Sequence, residues 1–148
     1  MKLGIFTDSH YSTWDRYDRP YSGVLEKIKK ALAHFEKENC DYIICLGDLI
    51  DKEKTKEEEL ATFQKVVAAF DVCKVPMFVL VGNHDTLDFE KQTFYQILGE
   101  NRKPKTMRVG KKELLFLDTC FFADGREFTP ESGWDRGKLQ DLDGFKNA

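Results

Sequence analysis

Three strand-like apolar runs in this 148-residue chain each end in a short polar motif, and this arrangement constrains the fold most strongly. The runs lie at residues 3–6, 42–46 and 77–81. They are followed by the motifs Asp8-Ser9-His10, Gly47-Asp48-Leu49-Ile50-Asp51 and Gly82-Asn83-His84-Asp85. Patterns typical of amphipathic helices fill the intervals. This alternation of strand and helix predicts an α/β fold with a mostly parallel sheet.

The periodicity of apolar residues predicts three helices. The first covers residues 22–38 with Ser22 as its N-cap. The second begins in the charged run at residues 52–59 and extends to about residue 70. The third covers residues 88–98 and is closed by Gly99.

The residues after the third helix predict a β-hairpin and a weak final helix. Residues 107–109 and 114–117 flank a segment with Gly110, which is typical of a hairpin. Residues 136–142 have weak helical character. The predicted fold is therefore a parallel sheet with helices, followed by a hairpin.

The polar motifs predict a metal site, because ligands bind at the carboxyl ends of the strands in an open α/β sheet. Asp8 and His10 are two residues apart, so in an extended chain their side chains point the same way. Gly47 permits a close backbone approach before Asp48, whose two carboxylate oxygens can reach two cations. Together with the Asn83 amide, such mixed oxygen and nitrogen ligands suit Mn, Fe, Zn, Ni or Co better than calcium.

The composition narrows the class of protein. The net charge of -3 and the lack of a basic stripe argue against nucleic acid as the main partner. No stretch is long enough to span a membrane, and the apolar run at residues 3–6 is too short for a signal peptide. The four cysteines form no C-x-x-C pair, which predicts reduced thiols and a cytoplasmic protein.

Taken together, the three motifs resemble those of the calcineurin-like metallophosphoesterase superfamily, over roughly residues 1–120. The resemblance implies the N-terminal part of a four-layer α/β/β/α sandwich, with a mostly parallel sheet plus a hairpin. It also implies hydrolysis of a phosphate mono- or diester, or of a nucleotide diphosphate. In such two-metal sites, a pair of divalent cations about 3.5–4 Å apart activates water for attack on phosphorus.

The resemblance also implies a ligand for each metal position. Asp8 and His10 would hold the first metal, Asp48 would bridge both metals, and Asn83 would bind the second. The cofactors would be two divalent transition metals, with manganese favoured.

The family resemblance assigns roles outside the ligand set as well. His84 would stabilise or protonate the departing oxygen, and Asp85 would orient it as a supporting carboxylate. Arg16 or Arg19 would contact a phosphate of a small phosphorylated substrate, such as a nucleotide.

The chain departs from the family pattern in its histidines. The family continues with a further histidine and a Gly-His-x-His motif, which complete both metal shells. The only histidines here are His10, His34 and His84, and the first predicted helix carries His34 near its polar side. Residues 133–142 resemble the segment just before the missing histidines. We therefore expect a single, incomplete domain over residues 1–148, in which the metals are weakly held.

Three origins for such a chain stay open: a truncation, half of a split protein, or a natural short form. Two alternatives to an active phosphoesterase also stay open, namely an inactive scaffold and a fragment that needs a partner chain.

An incomplete second sheet would leave an apolar sheet face without a cover. This predicts a homodimer, or a need for the missing C-terminal half. The expected contacts are residues 114–117 and the region near Trp134.

Overall fold

A computed structural model of the protein describes residues 1–16, 19–122, 125–127 and 129–130. It confirms the predicted α/β fold. The strands and helices, in chain order, are β1 (Leu3–Phe6), α1 (Val24–Lys37), β2 (Tyr42–Cys45), α2 (Lys56–Asp71), β3 (Met77–Val79), α3 (Lys91–Leu98), β4 (Met107–Val109) and β5 (Lys112–Leu114). Short 3-10 turns occupy Tyr21–Gly23, His84–Thr86 and Glu100–Arg102.

The first three strands form a parallel sheet with β2 in the middle. Leu3 lies opposite Tyr42 between β1 and β2, and Ile43 lies opposite Met77 between β2 and β3. Because all three strands run the same way, their carboxyl ends and the motifs that follow them meet at one edge. The sheet topology therefore positions the candidate site.

The main core lies between one face of this sheet and the helices. It contains inward-facing residues of β2 and β3 together with apolar residues of α1 and α2, including Ile43, Cys45, Met77, Val79, Ile28, Leu32, Phe63, Val66 and Phe70. In β1 this face carries Gly4, where a Cβ atom would lie 2.6 Å from the Phe35 ring. Gly4 therefore lets α1 pack directly against the sheet.

The opposite face of the sheet is only partly covered. Ile44 and Phe78 are buried there, and the Phe116 ring lies 5.3 Å from that of Phe78 between centroids. Ile5, on the same face of β1, is 54% exposed. This is the face for which the sequence predicts a dimer contact. The contact remains a prediction, and Trp134 lies outside the described residues.

The predicted N-cap of the first helix is wrong. The helix begins at Val24 after Gly23, which makes no side-chain cap hydrogen bond. Ser22 lies inside the preceding 3-10 turn, where its backbone N–H donates to Asp15 Oδ1 at 2.8 Å. The Asp15 carboxylate therefore accepts a backbone hydrogen bond from the turn that precedes the helix. The periodicity of apolar residues gives no signal for this contact.

The second helix begins later than its charged run indicates. Thr55 is the N-cap, and its Oγ1 accepts a hydrogen bond from the Glu58 backbone N–H at 3.2 Å. The residues before Thr55 therefore belong to the loop that follows β2. At the third helix, the predicted closure by Gly99 is confirmed, since Gly99 has a φ of 91°.

The hairpin is present, but its second strand is displaced from the predicted position. The strand is Lys112–Leu114 rather than residues 114–117. Gly110 adopts a φ of 62° in a two-residue turn, which pairs Val109 with Lys112. The tight turn shortens the loop and shifts the pairing toward the N-terminus. The helix predicted at residues 136–142 lies outside the described residues.

Two expectations from composition agree with the described part of the chain. Cys40, Cys45, Cys73 and Cys120 are all free thiols. In the described ranges, every helix is too short or too polar to cross a membrane.

A buried carboxyl group near the start of α2 leads to a stability prediction. Glu59 is fully buried, and its Oε2 accepts the Glu53 backbone N–H at 3.3 Å. Burial and the neighbouring Asp88 carboxylate raise the pKa of Glu59 to about 8. The folded protein therefore keeps this proton between about pH 4.5 and pH 8, whereas the unfolded chain releases it.

We expect Glu59→Gln to stabilise the protein by about 1–3 kcal/mol at pH 7, because a neutral side chain carries no ionisation penalty. The gain should vanish near pH 4, where Glu59 is protonated in both states. Urea unfolding across this pH range measures the effect, with the exposed Glu57→Gln on the same helix turn as the matched control. A Glu59→Gln variant that is less stable than wild type at pH 7 would contradict the prediction.

Candidate metal centre

The loops after β1 and β2 run side by side and bring two motifs together. The backbone N–H of Asp8 donates to the Gly47 carbonyl at 3.1 Å. The N–H of His10 donates to the Asp48 carbonyl at 2.9 Å, and the pairing continues from Tyr11. These hydrogen bonds extend the register of the parallel strands beyond the sheet, so the first motif lies directly beside Asp48.

Three of the polar site residues have left-handed backbone conformations. The φ angles are 52° at Asp8, 49° at His10 and 52° at Asp48. Such conformations are uncommon outside glycine, cost about 1–3 kcal/mol each and concentrate at functional sites. The assumed extended conformation of residues 8–10 is therefore wrong. The Asp8 and His10 side chains converge through two left-handed turns rather than through strand alternation.

Two glycines allow the second and third motifs to touch. Gly47 has a φ of 103°, and a Cβ atom there would lie 2.6 Å from the Gly82 nitrogen. A Cβ atom on Gly82 would clash with the Asp48 carboxylate. Only glycine fits at either position without displacing Asp48.

The ligand atoms of the first two motifs are spaced for a cation. His10 Nε2 lies 3.8 Å from Asp8 Oδ1 and 3.7 Å from Asp48 Oδ2. These distances are too long for hydrogen bonds. A metal bound about 2.0–2.2 Å from each atom would span them. His10, Asp48 and His84 also offer ligand atoms that all lie within 4.8 Å of one another.

The third motif contributes a buried amide without a partner. Asn83 Nδ2 is buried and has no hydrogen-bond partner among the described residues. Asn83 directly precedes the 3-10 turn at His84–Thr86, in the loop that follows β3. An unpaired buried amide is unfavourable unless something else engages the group. A cation would engage the amide oxygen of Asn83 and not this nitrogen, so the fit to a divalent transition metal rests on the converging carboxylate and imidazole groups.

His84 packs against the ligand cluster. Its ring is perpendicular to that of His10, with centroids 4.5 Å apart, and its backbone N–H donates to Asp48 Oδ1 at 2.9 Å. Burial alone would lower the pKa of His84, but hydrogen bonding to Asp51 and the charge of Asp48 raise it overall. The His84 imidazole is thus biased toward its protonated form.

The Asp85 carboxylate is fully buried and binds backbone amides. Its Oδ2 accepts from the N–H groups of Asp48 and Gly82, at 2.9 and 2.8 Å. Its Oδ1 accepts from those of Leu49 and Ile50, at 2.8 and 3.2 Å. Burial raises the pKa of Asp85 to about 7, although the hydrogen bonds from the backbone amides lower it.

This geometry corrects one expected contact. The sequence predicts that Asp85 orients His84, but both Asp85 oxygens face the loops after β2 and β3. The carboxylate beside the His84 ring is Asp51, whose Oδ1 lies 3.5 Å from His84 Nδ1. Asp85 therefore shapes the loops, and Asp51 contacts the imidazole.

Asp51 has no role in the sequence prediction, although it ends the second motif. Its Oδ2 lies 3.6 Å from His10 Nδ1, and its Oδ1 lies 2.8 Å from Arg16 Nη2. Burial alone would raise the pKa of Asp51, but His84, the Lys52 amide and Arg16 together lower it to about 2. The position of Asp51 at the end of the second motif was the one sequence signal that could have identified it as a site residue. Its three partners depend on the tertiary structure.

The two arginines proposed for substrate binding have different surroundings. Arg16 contacts Asp51, as described above. Arg19 lines a recess of about 190 Å³ beside Asp8 and His10, together with Lys27. Arg19 Nη1 also lies 3.4 Å from the Tyr21 hydroxyl. Of the two, only Arg19 is among the described residues that line this recess beside Asp8 and His10.

Comparisons with known proteins bear on the fold and the family of the chain. The solved structure of a dimetal phosphatase from Danio rerio is similar to this chain, with a TM-score of 0.54 and 23% sequence identity. The similarity covers 62% of this chain and 32% of that one, and it supports the fold. The sequence profile of the calcineurin-like phosphoesterase family matches residues 1–147. The chain belongs to the calcineurin-like phosphoesterase family.

Proposed function

We propose that this protein takes part in metal-dependent hydrolysis of phosphate mono- or diesters, or of nucleotide diphosphates. The observation that carries the proposal is the convergence of His10, Asp48 and His84 at the carboxyl edge of the sheet. When bound, two divalent metal ions, with manganese favoured, would polarise the phosphoryl group and activate the attacking water. The chain's own residues would hold these ions and donate a proton to the leaving group.

The positions of the oxygen and nitrogen atoms support the proposed ligand roles. Asp8 and His10 would hold the first metal, since their ligand atoms are 3.8 Å apart. Asp48 would be the ligand shared by both metals, because its Oδ2 lies 3.7 Å from His10 Nε2 and its carboxylate also groups with His84. Asn83 would bind the second metal through its side-chain amide oxygen, since it lies with His84 in the loop that follows β3.

His84 is the candidate proton donor to the departing oxygen. Its imidazole adjoins the ligand cluster, and Asp51 lies on the opposite side at Nδ1. A donor at this position would neutralise the alkoxide as the phosphorus–oxygen bond breaks. Asp85 would help to hold the loops of this site in place, since its carboxylate accepts hydrogen bonds from the backbone N–H groups of Asp48 and Gly82.

The proposed substrate is a small phosphorylated molecule with a second anionic group. The recess beside Asp8 is lined by Arg19, Tyr21 and Lys27. In the described ranges, neither Arg19 nor Lys27 has a carboxylate within salt-bridge distance. Arg19 is therefore the proposed phosphate contact, in preference to Arg16.

A fragment that binds metal but needs a partner chain is the second candidate. The sequence contains only three histidines, and His34 is exposed on α1. His10 and His84 are thus the histidines available to the site within this chain. A small ligand set weakens metal binding, because affinity depends on ligand number and geometry. We therefore expect slow turnover by this chain alone.

Hydrolysis of phenyl phosphate and diphenyl phosphate with added Mn²⁺ tests the proposal, because their phenolate leaving group is basic enough to need a proton donor. We expect slow, Mn²⁺-dependent release of phenol, reduced at least about 100-fold by His84→Gln, since His84 is the proposed general acid. The matched control His34→Gln exchanges an exposed histidine on α1 and should not change the rate. Equal rates for His84→Gln and wild type would contradict the assigned site. Mn²⁺ binding without any hydrolysis would favour the partner-dependent fragment.

A further inference from the structure

The buried carboxylate of Glu53, in the loop between β2 and α2, joins the loop after β1 to helix α2. Glu53 is only 2% exposed. Its Oε1 accepts hydrogen bonds from the Thr13 backbone N–H at 2.6 Å and from Thr62 Oγ1 at 3.1 Å. Its Oε2 accepts a third hydrogen bond, from Thr13 Oγ1 at 3.0 Å. Because a buried carboxylate is costly unless its oxygens are paired, these contacts fix Thr13 relative to α2.

Glu53 is itself held in place, and a second carboxylate of the same loop holds the other end of residues 13–16. The Glu53 backbone N–H donates to Oε2 of the fully buried Glu59 at 3.3 Å. Asp51 Oδ1 lies 2.8 Å from Arg16 Nη2. The loop after β2 therefore holds residues 13–16 at both ends, through Glu53 at Thr13 and through Asp51 at Arg16.

Residues 13–16 in turn hold the backbone of Arg19. The Arg19 N–H donates to the Arg16 carbonyl at 3.1 Å, and the Ser22 N–H donates to Asp15 Oδ1 at 2.8 Å. Arg19 is exposed and lines the recess beside Asp8. An exposed arginine binds an anion more tightly when its backbone is already held, because less conformational entropy is lost on binding.

We propose that Glu53 is a positioning residue for phosphate recognition, which fixes residues 13–16 against α2 and through them holds Arg19 beside Asp8. The proposal rests on the proposed function and deepens it, because Glu53 is not among the described residues that line the recess. Phosphate affinity would thus depend on a buried carboxylate that does not touch the substrate.

A charge argument separates positioning from simple electrostatics. Glu53 is an anion, so removing its charge should strengthen the binding of another anion if only charge matters. Positioning predicts weaker binding by Glu53→Ala, because Arg19 is then no longer held. Glu53→Gln removes the charge but keeps the contacts: its oxygen can accept from the Thr13 N–H and the Thr62 hydroxyl, and its NH₂ group can donate to Thr13 Oγ1.

The first measurement is affinity for phenylphosphonate, an anion that is not hydrolysed, by calorimetry with Mn²⁺ present. We expect Glu53→Ala to bind it about ten-fold more weakly than wild type. Glu53→Gln and the exposed control Glu57→Ala should bind it at least as tightly as wild type. Mn²⁺ affinity should not change in Glu53→Ala, since the His10 N–H bonds separately to the Asp48 carbonyl. In an Arg19→Met background, Glu53→Ala should cause no further loss of phenylphosphonate affinity.

The second measurement is backbone order in the metal-free full chain, by ¹⁵N NMR relaxation. We expect order parameters of about 0.85 at Trp14 and Arg19 in wild type and in Glu53→Gln, and below about 0.6 in Glu53→Ala. Thr13→Val loses one hydrogen bond to Glu53 at an exposed residue. It should therefore lie between wild type and Glu53→Ala, and it guards against a folding defect in Glu53→Ala.

Wild-type order parameters in Glu53→Ala would overturn the proposal. So would an equal loss of phenylphosphonate and Mn²⁺ affinity, a further loss in the Arg19→Met background, or no phenylphosphonate binding by wild type. Neither measurement needs hydrolysis. Failure of the proposed function, which would be seen as no release of phenol by wild type, is therefore a distinct result.

Discussion

Asp85→Ala is expected to destabilise the protein by at least about 4 kcal/mol. Asp85 is fully buried and accepts four backbone N–H groups, two on each oxygen. Each buried donor left without an acceptor costs about 1–3 kcal/mol. Since whole domains are stable by only about 5–15 kcal/mol, the variant should be largely unfolded or close to it. Urea unfolding measures the loss.

Two further variants sharpen this test. Asp85→Asn should also destabilise, because its NH₂ group would face two backbone donors whichever way the amide is turned. Asp71→Ala removes an exposed carboxylate paired with Arg102 and should change stability by about 1 kcal/mol or less. An Asp85→Ala variant as stable as Asp71→Ala would show that the loops do not depend on this carboxylate.

Asp48→Asn is expected to abolish measurable Mn²⁺ binding. Asp48 Oδ2 lies 3.7 Å from His10 Nε2, so the carboxylate is the proposed bridge between the motifs. Outer partners of metal ligands are worth about 10–100-fold in affinity, and a charged ligand should be worth more. We therefore expect at least about a 100-fold loss by calorimetry, with metal content of the purified protein as a second readout.

The choice of asparagine makes this experiment specific. Asp48 Oδ1 accepts the His84 backbone N–H at 2.9 Å, and an asparagine oxygen can still do so. The loop should therefore remain folded while the charge is lost. His34→Gln, an exposed histidine exchange on α1, is the control and should bind Mn²⁺ as wild type does. Equal binding by Asp48→Asn and wild type would rule out Asp48 as a ligand.

The strand positions were predictable because they depend on local sequence. Each apolar run becomes a parallel strand, although β2 ends at Cys45 and β3 at Val79 rather than at residues 46 and 81. Gly99 closes the third helix as expected, since a glycine tolerates its φ of 91°. Local signals were less reliable at helix starts, where Asp15 and not Ser22 supplies the side-chain acceptor.

The sequence by itself determined which polar groups reach one edge of the sheet, because parallel strands carry the residues that follow them to the same end. Only the tertiary structure decided how those groups are oriented. The left-handed turns at Asp8 and His10 depend on pairing between the loops after β1 and β2.

The partners of two carboxylates also depended on tertiary structure. The sequence motif places Asp85 next to His84, yet burial brings Asp85 to four backbone amides and leaves Asp51 beside the imidazole. Arg16 reaches Asp51 across 35 residues of chain, a contact that no local pattern encodes. Spacing along the chain determines which residues meet, whereas side-chain packing and hydrogen bonding between distant loops decide which atoms face each other.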